Sequence, residues 1–292
     1  MKVFSVIVCY QPDVLQLAKL CENLLIDGSK VLLVDNTDIP YLADQQLPTD
    51  CQLITLGLNT GIAHAQNVGV ATAMADDADV IVFIDQDSRI EPGFLKTLVS
   101  ELNIGVPDIV SPLYFDASSS AELPSTRVNR YGLPRAVHRG DSLALYPVDI
   151  VISSGTAATK EAFLVAGTLD EDLFIDFVDT EWCLRCRSKQ IPIRTVPSAV
   201  MHQRIGSKSI NFGVATVLVH SPARCYYQIR NCFHLFRKHH IPKLFALRET
   251  ISVFFNRTLL LLVVDDKFCY TKEFLCALWD GMRGVTGIKP RR

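Results

Sequence analysis

A chain of 292 residues, 49% hydrophobic and 21% charged, is long enough for one large α/β domain or two small ones, and it carries no repeat or low-complexity tract of a fibrous or disordered protein. Its nine cysteines are odd in number and scattered, which argues against a secreted disulfide framework and for free thiols in a reducing cytoplasm. The net charge of −2 conceals an asymmetry: residues 1–200 carry 14 Lys+Arg and 26 Asp+Glu, residues 201–292 carry 15 and 5, so a basic tail with either an anionic partner or a solvated face follows an acidic body.

Phe4 to Tyr10 is an apolar run that reads as a buried strand; it is too short for a signal peptide and has no small-residue cleavage site. Gln11-Pro12-Asp13 breaks it, and Val14 to Leu25 has helical spacing. Lys30 to Val34 is a second strand ending on Asp35-Asn36-Thr37, which makes a βαβ unit and a parallel pair. A weaker strand spans Gln52 to Leu56. Asn59-Thr60-Gly61 then opens a helix running to about Ala75. Gly61 lets backbone approach a ligand, and a helix start favours an anion.

Val80-Ile81-Val82-Phe83-Ile84 reads as a strand buried on both faces, and it runs straight into Asp85-Gln86-Asp87-Ser88. Two carboxylates at the carboxyl end of a central strand suit Mg²⁺ or Mn²⁺ holding a diphosphate; they also suit a plain polar turn. A helix is expected over Pro92 to Leu102, a strand at Ile109 to Ser111, an irregular excursion over 114–147 and a strand at Val148 to Ile152. A helix over Lys160 to Ala166 follows Ser153-Ser154-Gly155-Thr156. The acidic stretch Asp170 to Arg185 places Asp179 and Glu181 at a helix start, where they can cap it or act as a base. Cys183 and Cys186 are a helical coincidence rather than a metal pair. Ile193 to Val196 is a short strand, and His202 precedes the flexible basic segment 206–209. There is no G-x-G-x-x-G and no P-loop, which disfavours a dinucleotide fold and a phosphate-cradling NTPase.

Taken together, FSVIVCY, VLLVDNT, NTGIAHAQNVGVATA, VIVFIDQDS, SSGTAATK, LDEDLFIDFVDTEWCLR and AVMHQRIGSKS resemble the family-2 glycosyltransferases of GT-A fold, closest to their bacterial rhamnosyltransferase branch. The resemblance covers roughly residues 3–235. It implies an α/β fold of GT-A type, a Rossmann-like mostly parallel sheet flanked by helices with a C-terminal helical extension. It divides the chain into a nucleotide-sugar-binding half (1–105), an acceptor-binding half (106–210) and C-terminal basic, amphipathic helices (211–292).

The resemblance also implies roles. Asp35 contacts the base; Tyr10, Asn59, Gly61, Asn67 and Gly155 line the nucleotide-sugar pocket. Asp85 reaches ribose or metal, Asp87 ligates a Mg²⁺ or Mn²⁺ ion, and His202 ligates it or meets the diphosphate. Asp179 is the general base, with Glu181 as its support because Val178 stands where the family often has Glu. The implied reaction is inverting transfer of a deoxyhexose, L-rhamnose from dTDP-L-rhamnose, to a lipid-linked or polysaccharide acceptor. The alternatives are a transferase for another nucleotide sugar and a non-catalytic nucleotide-sugar-binding, membrane-associated protein, the latter opposed by the intact Asp85, Asp87, Asp179 and His202; a nucleotidyltransferase lacks support because CYQPDV has no Gly-rich basic segment. Nucleic acid is not an expected partner.

Phe245 to Val264 is strongly apolar but interrupted by Arg248, Glu249 and Arg257, and its longest clean run is far below the ~20 residues of a spanning helix. Two readings stay open. One is an amphipathic helix at the inner face of the cell membrane; the other is a helix packed on the catalytic domain or on a second copy of the chain.

Overall fold

The computed structural model describes residues 1–290 except 41, 118, 141–142, 204–208 and 212–215, with backbone only at 44, 209, 211 and 216. In chain order the elements are β1 (Val3–Cys9), α1 (Val14–Ile26), β2 (Lys30–Asp35), β3 (Cys51–Thr55), α2 (Ile62–Ala75), β4 (Val80–Asp85), α3 (Phe94–Val99), β5 (Ile109–Asp116), β6 (Glu122–Leu123), β7 (Ser125–Val128), β8 (Pro134–Val137), β9 (Tyr146–Val148), β10 (Ala157–Thr159), α4 (Lys160–Ala166), α5 (Val178–Ser188), β11 (Ile193–Gln203), β12 (Ser209–Asn211), β13 (Thr216–Leu218), α6 (Pro222–Arg237), α7 (Lys243–Val263) and α8 (Lys267–Arg283).

Among the described residues one nine-stranded sheet runs β3-β2-β1-β4-β10-β5-β11-β9, with β6 added on β5. β1, β2, β3 and β4 pair in parallel, as do β5 and β11, while β10 is antiparallel to both β4 and β5. The two expected halves therefore share one sheet, because β10 comes back to fill its centre.

Alternation along β1, β2 and β4 divides their side chains between two apolar layers. Phe4, Val6, Leu32, Val34, Ile81 and Phe83 pack with α2, α4 and α5. Val3, Ile7, Val31, Leu33, Val80 and Val82 pack with α1 and α3. Asp13 caps α1 by accepting from Leu15 and Gln16 N–H. α2 is built of small residues because it lies close to the sheet: a Cβ on Gly69 would stand 2.3 Å from Val6.

Three local expectations shift. The helix expected to reach Leu102 ends at Val99. The strand expected at 148–152 is Tyr146–Val148. The strand expected to end at Val196 continues to Gln203 through a register shift, because β5 offers it a partner as far as Asp116. The 114–147 excursion resolves into β6 and the β7–β8 hairpin.

The C-terminal helices pack on the sheet domain. Ser221 caps α6 with Pro222 in its first turn. Phe174 stacks on Tyr227 at 4.4 Å, and Phe254 of α7 meets Phe274 of α8 edge-on at 5.7 Å. No described helix is long and apolar enough to cross a membrane.

Candidate active site

The carboxyl ends of β1, β2 and β4 open into a cleft of about 420 Å³, closed on the far side by Phe174 and by Arg224 and Tyr227 of α6. Tyr10, Asn59 and Gly61 line it as expected positions; Asn36 and Gln86 line it as well. Gln86, the middle residue of Asp-x-Asp, clasps the Tyr10 backbone. Tyr10 N–H donates to Gln86 Oε1 at 2.7 Å, and Gln86 Nε2 donates to the Tyr10 carbonyl at 3.1 Å. Asn36 Oδ1 accepts from Thr60 N–H at 2.8 Å, and Asn59 Oδ1 accepts from Gly61 N–H at 3.1 Å. These amides shape the turn into α2. Gly61 has φ +88°, and a Cβ there would lie 2.6 Å from the Phe174 ring, so only glycine fits.

Two expected pocket residues stand behind the wall instead. Asp35 is fully buried, and its oxygens accept from Thr37 N–H at 3.1 Å and Leu42 N–H at 3.2 Å. It braces the loop that presents Asn36. Asn67 is also buried; it donates to the Leu169 carbonyl at 2.9 Å and to Glu171 at 2.7 Å, tying α2 to the acidic stretch.

Asp85, Asp87 and Asp179 form an acidic group beside the cleft. Burial, then the charges of Asp87 and Asp179, raise the Asp85 carboxyl to about 6, against the opposing pull of Gln203 and Arg224. The Asp85 N–H donates to Ser154 Oγ at 3.0 Å, which fixes the strand end. Gly155, expected in the pocket wall, does not line the cleft; at φ +83° it lets that loop pass within contact of Pro112 and Met201. Burial also holds the Asp179 carboxyl above the usual range; the charge of Asp176 adds to this, while N–H donors from Thr180 and Ser153 oppose it. The Thr180 N–H lies 2.7 Å from Asp179 Oδ1.

Glu181, expected to support Asp179, is placed elsewhere. Residues two apart on a helix do not share a face. Glu181 is buried and ion-paired to Arg185 at 2.7 Å, and His240 Nε2 lies 2.7 Å from its other oxygen. Burial pushes its carboxyl up, but hydrogen bonds from His240 and Arg185 outweigh that and leave it below the usual range. It ties α5 to the start of the C-terminal helices.

His202 is not brought into the acidic group. It lies 6.0 Å from the Phe115 ring and lines a second cavity of about 560 Å³ with Arg89 and Glu91. Its neighbour Gln203 is the residue that reaches Asp85. Successive strand side chains point to opposite faces, so both cannot do so. The basic segment expected at 206–209 lies outside the described side chains.

Between the cleft and α5 runs a strained strap. Phe174, Asp176 and Phe177 have φ of +63°, +63° and +64°. Such values in non-glycine residues cost roughly 1–3 kcal/mol each and persist only where the surroundings hold them. The holding groups come from α6. Asn231 Nδ2 donates to the carbonyls of Leu173, Ile175 and Asp176 at 2.9, 2.8 and 3.1 Å. Arg230 Nη2 donates to Asp172 and Leu173 carbonyls at 2.9 and 3.0 Å. Both side chains are fully buried. Sequence reading missed them, because in the basic segment 223–238 they look like solvated helix residues.

A mostly parallel sheet with a cleft at the carboxyl ends of its strands, and an acidic group beside it, defines an α/β fold that takes its ligand at those strand ends. The profile of Glycosyl transferase family 2 matches residues 14–163, and the chain belongs to that family and is a glycosyltransferase. It is 37% identical over 286 residues to dTDP-rhamnosyl transferase RfbF of Shigella flexneri, covering 98% of this chain and 97% of that protein. Among solved structures it shares its fold with S. aureus TarS 1-349 in complex with UDP-GlcNAc, at 16% identity and TM-score 0.56, over 98% of this chain and 82% of that one. It is similar also to GalNAc-T7 with UDP, GalNAc and Mn²⁺, at 13% identity and TM-score 0.55, over 70% of this chain and 44% of that one.

Proposed function

We propose that this glycosyltransferase moves L-rhamnose from dTDP-L-rhamnose, with inversion, to a lipid-linked saccharide or polysaccharide acceptor in cell-surface polysaccharide assembly of the O-antigen or capsule type. The observation that carries the donor is the full-length 37% identity to a dTDP-rhamnosyl transferase. Supporting the chemistry is a half-buried carboxylate, Asp179, beside the cleft, held by desolvation above the usual carboxylate range. Asp179 takes the acceptor hydroxyl's proton while the diphosphate leaves from the opposite face of the sugar. One base and one displacement invert the anomeric centre.

The residues present fit a divalent cation of the Mg²⁺ or Mn²⁺ kind. Asp85 and Asp87 offer hard oxygens, and burial followed by the Asp87 charge raises the Asp85 carboxyl. Among the described residues no group of three or more His, Cys, Asp or Glu is placed to hold a metal ion by itself; such an ion is commonly held by one or two carboxylates plus substrate phosphates. When bound, it would neutralise charge on the leaving diphosphate. Incubation with a panel of nucleotide sugars and Mg²⁺ tests the assignment. Slow hydrolysis of dTDP-L-rhamnose above all others is expected, and its loss in excess chelator or in Asp87→Ala. Preference for another donor sinks the rhamnose reading, and full activity in chelator sinks the metal.

We also propose peripheral attachment to the inner face of the cell membrane. Leu247, Ile251 and Phe255 on α7, and Phe268, Leu275 and Trp279 on α8, are exposed at helical spacing. Their burial would add an apolar term to the attraction of the basic tail, about 1 kcal/mol per Lys or Arg near an anionic surface. The protein is expected to pellet with anionic vesicles, release only partly in high salt and bind neutral vesicles poorly. Failure to pellet with anionic vesicles leaves these faces to a second copy of the chain.

A further inference from the structure

We infer that Arg224 is a protein cation for the diphosphate of the nucleotide donor, and that in the ligand-free enzyme Asp176 occupies it as a stand-in anion. The inference rests on the nucleotide-sugar reading above and adds to it a residue and a competitor.

Arg224 lines the 420 Å³ cleft together with Asn36, Asn59 and Gln86. It stands in the field of Asp85 and Asp179, in the most acidic region of the site. Its guanidinium meets the Asp176 carboxylate in a fork: Nε lies 3.2 and 3.1 Å from the two oxygens, and Nη2 lies 2.9 Å from one of them. The same planar fork that grips a carboxylate grips a phosphate. The Arg224 side chain is 44% exposed, so a ligand in the cleft can reach it without unpacking the core. Its backbone is fixed in the first turn of α6, which Ser221 caps.

Asp176 belongs to the strained strap and lies three residues before Asp179. A diphosphate that takes Arg224 releases Asp176 from that fork. Two anions cannot hold the same fork, so Asp176 lowers the apparent donor affinity by the fraction of time it occupies Arg224.

Calorimetric titration of the full-length protein with dTDP and, separately, with thymidine tests this, each with Mg²⁺ present. Arg224→Gln is expected to weaken dTDP binding roughly 10–100-fold, the scale of a charge-assisted hydrogen-bond pair, and to leave thymidine unchanged. Asp176→Asn is expected to strengthen dTDP binding on the order of twofold to fivefold, the worth of a part-exposed ion pair. The double variant should follow Arg224→Gln, and Arg224→Lys should recover part of the loss. Equal loss of dTDP and thymidine in Arg224→Gln, or undiminished dTDP binding, overturns the role of Arg224. Weaker dTDP binding in Asp176→Asn overturns the competition. If the wild-type protein binds neither ligand, the nucleotide-sugar reading itself falls, a result distinct from the other two.

Discussion

Asp179→Asn is expected to lower turnover by roughly 10²–10⁴-fold, the usual scale for losing a general base, while leaving dTDP binding unchanged and raising the melting temperature. The two effects share a cause. Burial holds the Asp179 carboxyl above its unfolded value, so the folded chain binds that proton more tightly than the unfolded chain does. The stability linked to it is fully present below the unfolded pKa and is lost as pH rises through the folded one. At neutral pH the ionised carboxylate therefore strains the fold, and the neutral, nearly isosteric amide relieves it. In the wild type the same raised value sets the acid limb of the kcat profile above that of an ordinary aspartate. Steady-state kinetics, nucleotide titration and a melting curve on one variant check all three. A fall in nucleotide affinity matching the fall in turnover would make Asp179 a binding residue.

Removing residues 264–292, which carry α8 and the end of the chain, is expected to unfold the protein or abolish nucleotide binding. The sequence leaves open whether the C-terminal helices lie on a membrane or pack on the catalytic domain; in the structure α6 depends on them. Tyr226 donates to Asp280 at 2.8 Å, Arg230 to the Gly287 carbonyl at 2.6 Å, and the His234 ring pairs with the Val285 carbonyl at 2.9 Å. Gly287 N–H in turn donates to the Asp172 carbonyl at 2.8 Å. Each buried polar group left unpaired costs about 1–3 kcal/mol, and several at once approach the 5–15 kcal/mol that holds a whole domain together. Circular dichroism and dTDP titration of the truncated chain would decide it; a folded, nucleotide-binding fragment would show that these contacts are dispensable.

What could be read from the sequence follows from how local each signal is. The βαβ start, the Asp-x-Asp at the end of β4 and the start of α5 were visible because hydrophobic period and turn chemistry lie within a dozen residues. Which of two neighbours faces the cleft was not. Asn36 rather than Asp35, and Gln203 rather than His202 beside Asp85, follow from where β2 and β11 end their alternation, and β11 ran seven residues past its expected end because of a partner far away in sequence. Glu181 misled because acidity at a helix start fits a cap, a base or an ion pair equally well; only the placement of His240 chose among them. Arg230 and Asn231 carried no local sign, since their partners are backbone carbonyls some 55–58 positions upstream.

The strap around Asp176 also fixes when the enzyme can become active. A nascent chain folds from its N-terminus, so the sheet and Asp179 leave the ribosome before Asn231, Arg230 and Gly287 exist to hold the strap. Asp179, the base proposed above, is thus expected to remain unpositioned until the final helix has emerged. A ribosome-tethered chain stalled with residues through 263 outside the exit tunnel should hydrolyse no donor, and one with all 292 residues outside should do so. Activity in the shorter chain would show that Arg230 and Asn231 of α6 hold the strap without α8.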